Sequence, residues 1–345
     1  MSSIVLTGGG TAGHVMPHLA ILPQLHQGFD NICYIGRHSG IERELMEGLT
    51  DYFAIDTVKF IRSFSPKNLT IPFKLIKSVN QAKAILQKIK PNVVFSKGGF
   101  VSLPVVLASH QLNIPVISHE SDLSLGLTNK LTANKCKMVL TTFPQTAQKL
   151  KNGKFVGITV REQLFFSNRL LALKSFNLTG EKPVLLVMGG SGGSMLLNNL
   201  VEKHFDFLTK HFQLIHICGK GNLSTYSPTS SYYKTEFCHD MASAYKACDF
   251  ILSRGGSNAL GEIIALKKPS LIIPLERASR GDQVENATYF ENLNLLRTLR
   301  EKNIENFEKE IENLIKNKNL LLENLKKCPL PFANTKIAEI LLSFS

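Results

Sequence analysis

Short apolar runs alternate with longer amphipathic segments through the first half of the chain. Runs at residues 4–6, 32–35, 53–55, 93–95, 116–117 and 138–140 predict strands. Between them, residues 15–26, 78–89 and 100–110 repeat their apolar positions at helical spacing. This rhythm predicts a parallel sheet covered by helices on both faces. It pauses near residues 151–153, after which residues 155–157 predict a short last strand. A polar stretch follows, and the pattern restarts at residues 183–188, continuing at 214–218, 250–252, 270–273 and 295–298. The chain therefore reads as two α/β units, each opening with a strand that runs into glycines. The tail, residues 301–345, predicts two terminal helices.

A chain of 345 residues is too long for one ordinary core and fits two. No run reaches the roughly 18 apolar residues of a membrane-spanning helix. The first residues lack a basic leader and read directly as a strand, which predicts a cytosolic chain. Cys33, Cys136, Cys218, Cys238, Cys248 and Cys328 are scattered without a C-x-x-C pair, so they read as reduced core thiols. The net charge of +13 is uneven. Residues 57–119 hold no Asp or Glu, yet include Lys59, Arg62, Lys67, Lys74, Lys77, Lys83, Lys88, Lys90 and Lys97. Such a block points to an anionic ligand or surface, or serves solubility alone. No base-stacking or groove-reading motif accompanies it, which argues against nucleic acid.

The first loop, Gly8-Gly-Gly-Thr-Ala-Gly-His14, fits the G-x-G-x-x-G pattern of a phosphate cradle at a helix N-terminus. A nicotinamide enzyme also needs an acid at the end of the second strand. Here that strand runs into Gly36-Arg37-His38, and the next acid is Glu42. Arg37 leaves a 2′-phosphate as the one route to NADP. His14 follows the last glycine, where it faces a ligand and can act as a base or as a phosphate partner. His18 reads as structural. The second loop, Gly189-Gly-Ser-Gly-Gly-Ser194, adds hydroxyls suited to a diphosphate, and Asn198 lies one turn into the next helix. Arg254-Gly-Gly-Ser-Asn-Ala-Leu-Gly-Glu262 offers a cation for phosphate and a carboxylate that can accept both hydroxyls of a ribose. Together these residues read as a nucleoside diphosphate site.

With these loops, Lys97-Gly-Gly-Phe-Val-Ser102, His119-Glu120, Gly126-Leu-Thr-Asn-Lys130 and Asp282-Gln283 with Asn286-Ala287 appear in register. The whole chain resembles the MurG family of bacterial peptidoglycan glycosyltransferases. The resemblance implies an α/β GT-B fold, two Rossmann-like domains facing a central cleft. Residues 1–157 would form the acceptor and membrane-facing domain and 158–329 the UDP-GlcNAc-binding domain, with residues 330–345 a helix returning to the first. It implies transfer of N-acetylglucosamine from UDP-GlcNAc to the MurNAc 4-hydroxyl of lipid I, with inversion, giving lipid II. No Asp-x-Asp motif is present, so neither a metal nor another cofactor is expected.

By position, the resemblance gives the catalytic set His14, Glu120 and Asp122, with the two carboxylates as rivals to His14 for the base. Ser191 would bind the donor diphosphate, with Asn198 supporting that site, and Arg161 would approach it. Phe237 would cover the uracil, with the Cys238 backbone reading its edge. Glu262 would hold the ribose, Arg254 a phosphate, and Asp282 and Gln283 the sugar hydroxyls. Thr11, Ala12 and Gly13 would also meet UDP-GlcNAc. Gly10, Gly13, Gly98 and Gly99 would cradle the acceptor diphosphate. The chain departs from the family pattern at Ala12, where a methyl requires negative φ, at Phe100 and Asp122, and at Ile158-Thr159 before Arg161. Asp282 also differs from the Gln of some members.

The implied partners are lipid I and anionic phospholipid at the cytoplasmic face of the cell membrane, with other cell-wall synthesis or division proteins as further candidates. Residues 71–79 interleave apolar side chains with Lys74 and Lys77, which suits peripheral docking, although an ordinary core-facing helix has the same pattern. Two other functions use the same features: another enzyme acting on UDP-GlcNAc, such as an epimerase, and a non-catalytic UDP-sugar-binding scaffold.

Overall fold

Apolar runs that end in glycines build the strands at the centre of each unit. The computed structural model describes residues 1–57, 70–190, 192–277 and 280–345. Lys59, Arg62 and Lys67 of the basic block, and Ser191 of the second loop, lie outside the described residues. The chain divides into one unit of Met1–Arg161 with Pro331–Ser345 and another of Glu162–Leu330.

The first unit holds seven strands: β1 Ser3–Thr7, β2 Asn31–Arg37, β3 Asp51–Ile55, β4 Val93–Ser96, β5 Val116–Glu120, β6 Met138–Thr141 and β7 Gly153–Phe155. They pair in the order β3-β2-β1-β4-β5-β6-β7, all parallel. Ile4 pairs with Ile32 on one side and Val93 on the other. Strands buried on both faces need apolar residues at every position, which is why their runs were continuous in the sequence.

The C-terminal helix Asn334–Leu342 belongs to this unit. Ile337 and Leu341 join Ile4, Leu6, Ile21 and Leu25 in its core. Burial of two such side chains contributes about 3–6 kcal/mol. Asn334 fixes the helix entry: its amide donates to the carbonyls of Ala20 and Val160 and accepts from the Val160 N–H. Ile158 pairs with the returning chain at Pro331 and Ala333, so the segment before Arg161 is tied down without the family's usual residues.

The second unit is a six-stranded parallel sheet: β8 Val184–Met188, β9 Gln213–Ile217, β10 Tyr232–Thr235, β11 Phe250–Ser253, β12 Ser270–Ile272 and β13 Arg297–Thr298. Its order is β10-β9-β8-β11-β12-β13. Strand β10 was not expected. It is an edge strand, paired to β9 alone, and carries no continuous apolar run. The two expected tail helices are three, Phe307–Lys316, Lys318–Lys326 and Asn334–Leu342, after a 3-10 stretch Glu301–Asn306. Asn317 has left helical geometry between the first two, and Pro329 and Pro331 separate the last.

The helix expected at residues 78–89 runs over Ile71–Ile89, with Pro72 in its first turn. Ser78, Val79, Ala82 and Leu86 face the core. Its first turns instead present Phe73, 77% exposed, and Ile76, 59% exposed. Cys33, Cys136, Cys218 and Cys248 are buried thiols, while Cys238 and Cys328 are half-buried.

Candidate active site

In an open parallel sheet, ligands sit beyond the strand ends where the order reverses direction. In the first unit that point lies between β1 and β4. The Gly8–Gly13 loop leaves β1, and Lys97-Gly98-Gly99 leaves β4. His14 ends a 3-10 turn, Ala12–His14, that follows the exposed Thr11. Ala12 is not among the positive-φ residues, so its methyl is accommodated. His14 Nδ1 lies 3.0 Å from Thr11 Oγ1. Gly99 adopts φ +78°, and a β-carbon there would stand 2.4 Å from the Gly9 carbonyl oxygen and 3.2 Å from His14 Nδ1. The two glycine loops and His14 are thus packed against one another.

A buried carboxylate supports the first loop. Glu42 accepts the Gly10 N–H at 3.2 Å, and Arg37 donates Nε to its other oxygen at 2.5 Å. Burial opposes the Glu42 charge, but the Arg37 and backbone hydrogen bonds outweigh it and hold its pKa below the usual range. Arg37 also lies over the Phe100 ring, which packs against Gly10. The NADP alternative loses its ligand, because Arg37 is turned to Glu42. Sequence reasoning met Glu42 only as the first acid after β2.

Glu120 is placed differently from a substrate-facing base. It is 5% exposed. Oε1 accepts the Asp122 N–H at 3.1 Å, and Oε2 accepts the Gly126 N–H at 2.7 Å and the Asn129 amide at 2.9 Å. Burial, then Asp122, pushes its pKa up. Its role in this geometry is to shape the turn that carries Asp122, which is half-buried. Helix Leu127–Thr132 closes the assembly: Thr128 Oγ1 donates to the Gly99 carbonyl at 2.8 Å, and Asn129 also receives Ser118 Oγ at 2.8 Å. Lys97 Nζ, 3% exposed, reaches Ser121 Oγ at 2.7 Å. The roles of Asn129 and Lys97 were missed, and a polar residue inside a glycine motif was the available signal. His18 is structural, as expected, wedged edge-on between Tyr34 and Phe95 with Nε2 at 3.2 Å from the Thr7 carbonyl. Gly13 lies within the 3-10 turn, and Gly98 packs beside Asn129.

The second unit repeats the plan between β8 and β11. Gly193 adopts φ +73°, and a β-carbon there would lie 2.2 Å from the Cys218 carbonyl oxygen. Ser194 caps helix Met195–Lys203 through the Leu197 N–H. Asn198 supports the loop from below and does not reach into it. It is buried, its amide donating to the Cys218 carbonyl at 3.0 Å and its oxygen meeting His216 Nε2 at 3.0 Å. His216 Nδ1 lies 3.1 Å from the Tyr232 hydroxyl. This network carries the loop from beneath.

Arg254 is also a correction. Its guanidinium donates to the Ile273 carbonyl at 2.9 Å and pairs with Glu301 at 2.8 Å. At 9% exposure, buried against β12, it is not turned to a phosphate. Glu262, half-buried in helix Ser257–Ala265, accepts the Tyr245 hydroxyl at 2.9 Å. Gln283 uses its amide oxygen to accept the N–H groups of Gly255 and Leu275, at 3.1 and 3.0 Å. That fixes its NH2 as the outward donor. Asp282 Oδ1 accepts the Arg280 N–H at 3.1 Å. Phe237, after β10, is 46% exposed and meets His239 edge-on, next to the half-buried Cys238. Arg161 closes the main segment of the first unit. No helix of the described residues is long and apolar enough to cross a membrane, and no group of three metal-ligating side chains occurs among them.

Residues 4–141 match the glycosyltransferase family 28 N-terminal domain, and residues 184–340 match its C-terminal domain. The UDP-N-acetylglucosamine--N-acetylmuramyl-(pentapeptide) pyrophosphoryl-undecaprenol N-acetylglucosamine transferase of Clostridium botulinum is 42% identical over 354 aligned positions, covering 100% of both chains. The protein of the same name from Clostridium kluyveri is 44% identical, covering 95% of this chain and 91% of its own. The crystal structure of Acinetobacter baumannii MurG superimposes with a TM-score of 0.77 at 24% identity, covering 99% of this chain and 100% of that one, a likeness of fold. Two Rossmann-like units, matched in order and over their full length, are the GT-B fold, and the chain belongs to glycosyltransferase family 28, in its MurG branch.

Proposed function

We propose that this protein transfers N-acetylglucosamine from UDP-GlcNAc to the MurNAc 4-hydroxyl of undecaprenyl-pyrophosphoryl-MurNAc-pentapeptide, lipid I, producing lipid II and UDP. The observation that carries this reading is the full-length identity to transferases of that name. The paired glycine loops at the two sheet reversals support it. The second unit takes the donor: Phe237 and the Cys238 backbone at the uracil, Glu262 at the ribose, Asp282 and Gln283 at the sugar. The first unit takes the acceptor diphosphate at Gly10, Gly13, Gly98 and Gly99.

The acceptor oxygen attacks the anomeric carbon as the bond to the UDP oxygen breaks, with inversion. The hydroxyl proton passes to a base, and His14 is the first candidate. When Nδ1–H is donated to Thr11 Oγ1, Nε2 is the basic nitrogen of the ring. The charge developing on the leaving diphosphate meets glycine-loop amides and helix N-termini, where one well-placed donor is worth about 2.7–4 kcal/mol. Ser191 and Arg161 are its further partners. Phe73, Lys74, Ile76 and Lys77 present an apolar and basic surface for peripheral docking on the cytoplasmic leaflet.

The test is transfer of labelled N-acetylglucosamine from UDP-GlcNAc to lipid I, with UDP-glucose and UDP-GalNAc as controls. Lipid-I-dependent formation of lipid II is expected. Turnover of UDP-GlcNAc that needs no lipid acceptor would refute the proposal.

A further inference from the structure

Lys97 lies where the tips of three central strands meet. Its backbone N–H donates to the Thr7 carbonyl at the end of β1. It follows β4 directly, and its ammonium reaches Ser121, just past β5, at 2.7 Å. Gly98 and Gly99 follow it directly. The ammonium has three N–H donors, and Ser121 Oγ is its one hydrogen-bond acceptor among the described residues. A buried cation in that state needs a charge partner nearby. Glu120, at the end of β5, and Asp122, in the turn after it, favour its charge, and that charge in turn disfavours protonation of His18, beyond β1, and His119, on β5. Both histidines are held neutral by burial.

We propose that Lys97 is a positioning residue for the acceptor: its ammonium ties the Glu120–Asp122 turn to the Gly98-Gly99 loop and places a fixed positive charge beneath the bound diphosphate. This rests on the reading that the first unit takes the acceptor. Burial lowers the Lys97 pKa to about 8, against the raising effect of Glu120 and Asp122. The charge is present at neutral pH and is lost on the alkaline side.

The experiment measures kcat and KM for a soluble lipid I analogue and for UDP-GlcNAc across pH, in wild type, Lys97→Met and Lys97→Arg. In wild type, kcat/KM for the acceptor is expected to fall above about pH 8, while KM for UDP-GlcNAc stays flat. Lys97→Met is expected to lower acceptor kcat/KM at neutral pH by about tenfold or more and to lose the alkaline limb. Lys97→Arg is expected to restore part of the rate and to shift the limb upward, since a guanidinium stays charged. An acceptor kcat/KM in Lys97→Met within about twofold of wild type overturns the proposal. If that variant does not fold, a wild-type profile with no alkaline limb, or one unchanged in Lys97→Arg, overturns it instead. Gly10→Ala and His14→Ala separate the two ideas. If they move the acceptor parameters and Lys97→Met does not, only the Lys97 assignment fails. If none of the three moves them, the acceptor reading itself fails.

Discussion

Gly99 and His14 share one space: the imidazole Nδ1 lies 3.2 Å from where a β-carbon on Gly99 would project. That β-carbon would also meet the Gly9 carbonyl oxygen at 2.4 Å, from a backbone at φ +78°. The neighbour is backbone on one side and a candidate base on the other, so neither can yield cheaply. Gly99→Ala is therefore expected to displace His14 and the first loop together. Acceptor kcat/KM should fall by about 100-fold or more, with a smaller effect on KM for UDP-GlcNAc. Steady-state kinetics with each substrate varied in turn checks this, and a near-normal acceptor kcat/KM would show that the loops are not coupled in function.

Gln283 gives a second prediction, because its amide oxygen is committed to Gly255 and Leu275. Gln283→Glu keeps an acceptor for both N–H groups and removes the NH2 donor. Its expected effect is confined to the donor sugar: a rise in KM for UDP-GlcNAc of about tenfold, with the melting temperature little changed. Gln283→Ala strands two backbone N–H groups and should also destabilise, by about 1–3 kcal/mol for each group left unsatisfied. Equal kinetic loss with equal loss of stability in both variants would make the residue a purely structural one.

Much of this arrangement was legible before the structure. A buried parallel strand must be apolar throughout, so β1, β4 and β8 stand out, and each runs into glycines that a phosphate loop requires. Strand β10, with Tyr232-Tyr-Lys-Thr235, has one neighbour and no such constraint. Residue types in motifs located the loops but not the directions of side chains. Arg254 follows its strand as a phosphate ligand would, yet Glu301, 47 positions later in the chain, draws it away. Asn198 and His216 come from separate elements, and their pairing is a property of packing. The Glu42–Gly10 bond has the same origin, 32 positions apart. Such long-range polar pairs carry no local signature, which is why the loops were found and their supports were not.

The helix Ile71–Ile89 separates surface docking from core packing. Val79, Ala82 and Leu86 bury one face, but Phe73 and Ile76 stand in solvent near Lys74. Lys77 is a poorer probe, since it already pairs with Asp56 at 2.8 Å. Phe73→Ser with Lys74→Glu removes one apolar side chain and reverses one charge without touching the buried face. Binding to anionic vesicles in a sedimentation assay should drop by about tenfold, with UDP-GlcNAc affinity unchanged. Undiminished sedimentation would locate membrane contact elsewhere.

Three buried histidines set the acid limit of stability. Burial, then the Lys97 charge, lowers the His18 pKa to about 3. Burial lowers that of His216 to about 4 and that of His119 well below its usual value. An unfolded histidine titrates near 6.5, so below that pH the unfolded chain takes up protons that the folded chain refuses. The stability these groups contribute is present above about pH 6.5 and is lost as pH falls toward their folded values. Each removes about 1.4 kcal/mol per pH unit across that window. Glu120 works in the opposite sense, because its raised pKa favours the folded state on acidification. Glu42, with a lowered pKa, adds a further loss that begins as pH falls through the ordinary carboxylate range near about 4.3. Between about pH 6.5 and about pH 5 the histidines therefore dominate, and the loss should reach about 1.6 kcal/mol for each. Urea unfolding at the two ends of that interval should show a clear fall in midpoint at unchanged salt. A midpoint that stays constant would mean that these imidazoles take up protons inside the folded protein, and the burial assigned to them would be wrong.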